Sequence, residues 1–201
     1  MATVTGKRVR EFGPDSAGTL MTPREFDRAG FVEGWRYELI HGVLVVSPIP
    51  LEEERDANGE LGYLLRTYRH THPQGSSLNA TLSEHTVRTG SNRRRADRVI
   101  WAGLGRHPRR SETPTIAVEF VSAGKRDYEE KRDEYQAAGV QEYWVMDRFH
   151  RTMTVYARRG SKFHKRVLKE NQVYTTHLVP GFELPQARLF ALADSWPEEA
   201  D

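Results

Sequence analysis

The chain has 201 residues, 37% hydrophobic and 29% charged, with a formal net charge of +2 and no cysteine. That length suffices for one domain with a sizeable core, and the missing cysteine excludes disulfides, thiolate zinc sites and cysteine nucleophiles. There is no run of about 18 apolar residues that would cross a membrane, and the N-terminus MATVTGKRVREFG lacks the apolar region of a secretory signal, so a cytoplasmic protein is expected.

Residues 1–18 are polar and without periodicity, which predicts a disordered tail ahead of a single domain over 19–196. Thr22-Pro23-Arg24-Glu25 starts a short helix, with Thr as N-cap, Pro at the first helical position and Glu at the third. Tyr37 to Val46 reads as a β-hairpin turning at His41-Gly42. Ala57, Leu61, Leu64, Leu65 and Tyr68 form the stripe of an amphipathic helix over about 51–69. Strands are expected near 77–88, 97–102 and 115–121. Asp127 and Glu130 have capping-box spacing for the next helix, and Ala138-Gly139-Val140 ends it. A strand at 142–147 follows at once, so strand, helix and strand form a crossover unit that favours parallel pairing. Strands near 152–158 and 162–168 form a meander, and a short last helix follows Pro185. The expected class is α/β with a mixed sheet.

The charge is uneven. Residues 88–110 hold eight arginines and one acid, Asp97, and residues 148–170 hold eight Lys or Arg and one acid, Glu170. Such stretches suggest a surface for a polyanion, or else solvated basic hairpins.

Three residues carry the chemistry. In the strand 115–121, Ile116, Val118 and Phe120 face one way and Ala117, Glu119 and Val121 the other. Both faces are otherwise apolar, so Glu119 is buried and must be paired, protonated or on a metal. Asp97 opens the apolar run Val99, Ile100, Trp101, where it is either a turn former or an acid placed to meet one on a neighbouring strand. Two carboxylates with waters suit Mg²⁺. Lys131 lies one turn inside its helix, and helical side chains lean toward the N-terminus. Its ammonium is therefore expected to point at the acidic pair, with Lys125 as rival. Glu38 shares a face with Ile40 and is read equally as a site acid and as a structural one.

These residues lie within blocks that occur in a fixed order: MTPREF, YELIHGVLVVSP, the AD at Ala96-Asp97, AVEFVS, Arg126-Asp127 through Lys131, AAGVQEYWVMD and VPGFELPQARLF. The chain thereby resembles the Uma-type restriction endonucleases, a branch of the PD-(D/E)XK nuclease superfamily, from about residue 21 to 192. The resemblance implies a restriction-endonuclease-like core, a mixed sheet flanked by helices, and a divalent-metal nuclease site. Asp97 matches the first acid and Glu119 the second. The superfamily's usual lysine position is Val121 here, and Lys131 matches its place on the helix. Departures stand at Arg95-Ala96, where Gln-Pro is usual, at Ala123 in place of Pro, and at Glu52-Glu53-Glu54, where relatives often carry His.

The expected function is Mg²⁺- or Mn²⁺-dependent hydrolysis of DNA phosphodiesters. The metal would be held by Asp97, Glu119 and the Phe120 carbonyl, with Lys131 positioning water, Glu38 as an extra acid, and Arg93, Arg94, Arg95 and Arg98 on phosphates. Two-strand cutting often uses two sites, which raises a homodimer as an expectation of the same kind. The alternative is a nuclease-fold module that binds DNA or a partner without cleavage.

Overall fold

The computed structural model describes residues 11–122 and 128–196. Residues 11–18, expected in the tail, are instead packed: strand β1 (Glu11–Phe12) precedes a 3₁₀ turn. Helix α1 (Pro23–Phe26) begins as its sequence dictates, with Glu25 N donating to Thr22 Oγ1 and Thr22 N to Glu25 Oε2. Strand β2 (Gly30–Phe31) pairs in parallel with β1. Strands β3 (Trp35–Ile40) and β4 (Val43–Pro48) form the expected hairpin, with both turn residues at positive φ, His41 at 50° and Gly42 at 79°. That geometry is what a two-residue turn needs to match strand twist. Helix α2 (Glu52–Thr71) follows.

The long hairpin of β5 (Leu78–Thr89) and β6 (Asn92–Ala102) comes next, then β7 (Ile116–Phe120), α3 (Tyr128–Ala138) and β8 (Glu142–Asp147). Gly139, at φ 93°, stops α3, and Val140 N donates back to Tyr135 O. Strands β9 (Thr152–Arg159) and β10 (Lys162–Lys169) form the meander. The small pair β11 (Val173–Thr175) and β12 (Glu183–Pro185) leads into α4 (Gln186–Asp194).

The main sheet runs β10-β9-β8-β7-β6-β3-β4, with β5 also on β6. Only β7 and β8, joined through α3, pair in parallel within it. Its two faces carry separate cores. Leu61, Leu65, Ile100, Val118, Trp144 and Leu189 pack on the face covered by α2 and α4. Val99, Trp101, Ala117, Tyr135 and Tyr143 pack on the face covered by α3.

Strand β6 starts five residues before its expected start and takes in Arg93, Arg94 and Arg95. Arg94 is 0% exposed. Its guanidinium meets Glu134 at 2.6 Å and Glu130 at 2.9 Å, which docks α3 on the sheet. Glu134 also accepts from Thr89 and Asn92. Removing one partner of a buried pair costs about 3–5 kcal/mol, and Glu130 remains here, so Glu134→Ala should cost about 3 kcal/mol. Asp133→Ala, next along the helix but exposed, should cost almost nothing. Urea denaturation midpoints of the two variants check this.

Candidate active site

Strand β6 changes partners at Asp97. Before it, β6 pairs with β3 through Leu39 and Arg93. After it, β6 pairs with β7 from Arg98↔Val118 onward, and one further step in that register sets Asp97 opposite Glu119. On its other edge, the ladder with β5 goes from Ser83↔Arg98 to His85↔Ala96, and Glu84 between them has φ 50°. A left-handed conformation costs a residue with a Cβ about 1 kcal/mol or more, and such strain collects at functional sites.

The backbone groups freed at this fork are satisfied by side chains. Arg95 N donates to Glu38 Oε1 at 2.8 Å. Arg95 O accepts from Arg36 at 3.1 Å and from Lys131 Nζ at 3.3 Å. Phe120 N donates to Asp97 Oδ2 at 2.7 Å, and Asn58 Nδ2 donates to Asp97 O at 2.8 Å. Because an unpaired buried amide is costly, the fork fixes where Glu38, Asp97 and Lys131 stand.

Glu119 is buried at the centre. Lys131 Nζ donates to its Oε2 at 3.0 Å and Tyr135 OH to its Oε1 at 3.0 Å. Lys131 also lies 3.8 Å from Glu38 Oε1. Burial pushes the Glu119 carboxyl up to about 7; Lys131 opposes this and Asp97 adds to it. Burial works to lower Lys131, but Glu119, Glu38 and Asp97 outweigh it and hold the ammonium charged above the usual lysine range. Arg36 Nη2 lies 2.9 Å from Asp97 Oδ1, an oxygen with no hydrogen bond among the described residues. Arg36 is likewise held charged, as Asp97 and Glu84 prevail over burial.

These groups line one open cavity of about 420 Å³, together with Phe120, Tyr128 and Glu54. Of the residues expected at the site, Asp97, Glu119, Lys131, Glu38 and Phe120 therefore converge. Lys125 and the N-cap Asp127 lie outside the described residues. The four arginines expected on phosphates stand elsewhere: Arg93 pairs with Asp27 at 2.7 Å, Arg94 with Glu134, and Arg95 with Glu84 at 2.9 Å. Arg98 is buried against Asn58. These guanidiniums neutralise the protein's own carboxylates or lie inside it.

Two charged cavity residues were not expected. Arg36 sits two residues before Glu38 on β3, hence on the same face, which was the available signal. Glu54, in the first turn of α2, is 6% exposed, and its Oε1 has no partner among the described residues.

Burial, with Asp97 nearby, pushes the Glu54 carboxyl up to about 7. A carboxyl raised in the folded state binds more protons than in the unfolded chain between its two pKa values, so stability falls as pH rises through about 4.5 to 7. Glu54→Gln should therefore melt higher than the parent at pH 8, by roughly 2–4 °C per kcal/mol relieved at this chain length. At pH 4.5 the two melts should coincide. Equal melting curves at both pH values would mean that Glu54 ionises without cost.

None of the curated proteins matches the chain. Among solved structures, a crystal structure described as a putative nuclease belonging to DUF820, from Anabaena variabilis, superposes with a TM-score of 0.70. It is 16% identical, and the match covers 86% of this chain and 99% of that one. At that identity the likeness speaks for the fold, a mixed sheet flanked by helices. The model of the Uma2 family, described as "Putative restriction endonuclease", matches residues 23–187, and the chain belongs to that family.

Proposed function

We propose that the protein is a divalent-metal-dependent endonuclease that hydrolyses DNA phosphodiesters in the cavity at the β6 fork. The observation that carries this reading is the convergence of Asp97, Glu119 and Lys131 on one open, polar cavity. The donor set is all oxygen, Asp97, Glu119 and the Phe120 carbonyl, which is the chemistry Mg²⁺ or Mn²⁺ takes. No group of three or more His, Cys, Asp or Glu among the described residues is arranged to hold a metal. The protein would thus supply two carboxylates and leave several waters on the ion, as Mg²⁺ prefers. When bound, the ion would offset charge on the phosphate.

The chain's own groups do the rest. A lysine held charged has no lone pair with which to take a proton, so Lys131 orients the attacking water and offsets charge at phosphorus. Glu54, with an unpartnered oxygen on the cavity wall, is available to take the water's proton. Water attacks in line, the new P–O bond forms as the P–O3′ bond breaks, the leaving O3′ takes a proton from solvent water, and a 5′-phosphate and a 3′-hydroxyl are left. Glu38 and Tyr135 position Lys131 and Glu119. The rival reading, a module that binds without cutting, is favoured by one feature: Arg36 already neutralises Asp97.

The test is cleavage of plasmid DNA with Mg²⁺ or Mn²⁺, run beside thermal melts. The parent should cut. Glu119→Gln and Lys131→Ala should each lose about 100-fold or more, the order found when a transition-state contact is removed. At tenfold excess over Kd, metal should stabilise the parent by roughly 1.4 kcal/mol, or about 3–5 °C at this length, and Glu119→Gln not at all. Salt-sensitive DNA binding without cleavage in any metal would establish the rival.

A further inference from the structure

A second cavity, of about 620 Å³, lies further along β6 and shares no lining residue with the first. Four arginines border it, Arg66 and Arg69 from the last turns of α2 and Arg109 and Arg110 from the loop after β6, with His107 beside them. No carboxylate lines it. Arg66, Arg69 and Arg110 make no ion pair with a carboxylate among the described residues. Arg109 donates its backbone N–H to Glu112 Oε2 at 2.9 Å, and the two oxygens of that acid are held by the Arg106 guanidinium at 2.7 and 2.8 Å. This differs from the arginines at 93–95, each of which has an internal acid.

The floor is apolar and aromatic. The half-buried His85 ring meets the fully buried Trp101 edge to face at 5.1 Å, and Leu82 is 48% exposed. Arg98, between Asp97 and Trp101 on β6, is 4% exposed. Its partners are neutral, Asn58 Oδ1 and O at 2.7 Å and Thr81 Oγ1 at 3.1 Å. Burial, with Arg66 nearby, lowers it to about 10. A buried cation without an acid is costly and adds to the positive potential of the cavity. A third hollow, lined by Arg36, Arg55, Glu84, Arg95 and Arg98, borders the catalytic cavity through Arg36, Ile49 and Pro50.

We infer that the arginine cavity binds a phosphate-bearing, unpaired nucleotide segment of the strand whose scissile bond lies at Asp97 and Glu119. The inference rests on the nuclease reading for its register and on the cavity for its chemistry. Exposed guanidiniums recognise phosphate through paired N–H donors, and an apolar, aromatic floor suits a base face. A duplex is too wide for a hollow of this size, so the base entering it is out of the stack. Asp97 and Trp101 are four residues apart on one strand, ~13 Å at the strand rise.

The experiment uses the full chain and fluorescence anisotropy with a labelled oligothymidylate, without divalent metal, across a salt series. The parent should bind with strong salt dependence. Arg66→Ala/Arg69→Ala and Arg109→Ala/Arg110→Ala, made separately because all four residues are exposed and either pair suffices, should each weaken binding about tenfold. Each should also flatten the log–log salt slope by about 0.7 for every phosphate that is no longer neutralised. Parent affinity and slope in both variants would overturn the inference, whether or not the protein cuts. Loss of binding in both variants in a protein that never cuts would uphold the site and remove only the nuclease reading. Preferential arginine-dependent binding to phosphatidylserine vesicles, with no oligonucleotide bound, would assign the cavity to a lipid headgroup and overturn the inference.

Discussion

The constraint on which the site depends is a backbone one. A strand in the middle of a sheet normally has every amide paired on both edges, and β6 does not at residues 95–97. Its partner on one edge changes from β3 to β7, and on the other edge Glu84 breaks the ladder with β5. An unpaired amide in a buried sheet must find another partner. Glu38, Lys131, Arg36 and Asn58 are those partners. The fork thus concentrates charged groups in an otherwise apolar interior and leaves an opening between β3 and β7. The cavity and its charges follow from the same break in pairing.

The electrostatics of that opening are balanced rather than simply acidic. Glu38, Asp97 and Glu119 face Lys131 and Arg36, and the two cations are held charged by those acids. Burial meanwhile raises Glu119 and Glu54 toward neutrality. Such a cluster is not a stability device, because desolvation offsets most of what the Coulomb attraction contributes. Glu142 makes the contrast on the neighbouring strand. It is just as buried, but it accepts from Trp144, Tyr174 and Thr176 and makes no ion pair among the described residues. Neutral donors on every side make Glu142 a structural acid. Glu119 instead pairs with a cation and lines an open cavity.

Much of this was legible in the sequence where the signal is local. The capping box at Thr22, the His41-Gly42 turn, the stripe of α2 and the Gly139 stop each act within a few residues, and the elements form there. The alternation of strand β7 alone sets Glu119 apart from Ile116, Val118 and Phe120. The arginines at 93–95 were not legible, because their carboxylates lie 66, 40 and 11 residues away in the chain. A run of like charge suggests a solvated surface. Only the tertiary fold shows that each of these arginines answers an acid on another element. Glu54 was hidden for the same reason: three glutamates in a row at a helix start look like a response to the helix dipole, and only packing buries the third.

The pairing of those arginines also changes where polyanion affinity must reside. A net charge of +2 hides two populations. One, including Arg93, Arg94 and Arg95, is matched internally and contributes little field outside the protein. The other, Arg66 and Arg69 at the end of α2 with Arg109 and Arg110 in the loop after β6, makes no ion pair of its own among the described residues and borders a hollow. Counterion release depends on cations free to neutralise phosphate, not on the number of arginines in a segment. On the proposed reading, the surface that a nucleic acid would meet first is the one the fold leaves uncompensated. Because Trp101 of that hollow lies on the same strand as Asp97, binding there would set the register of the backbone that reaches the fork.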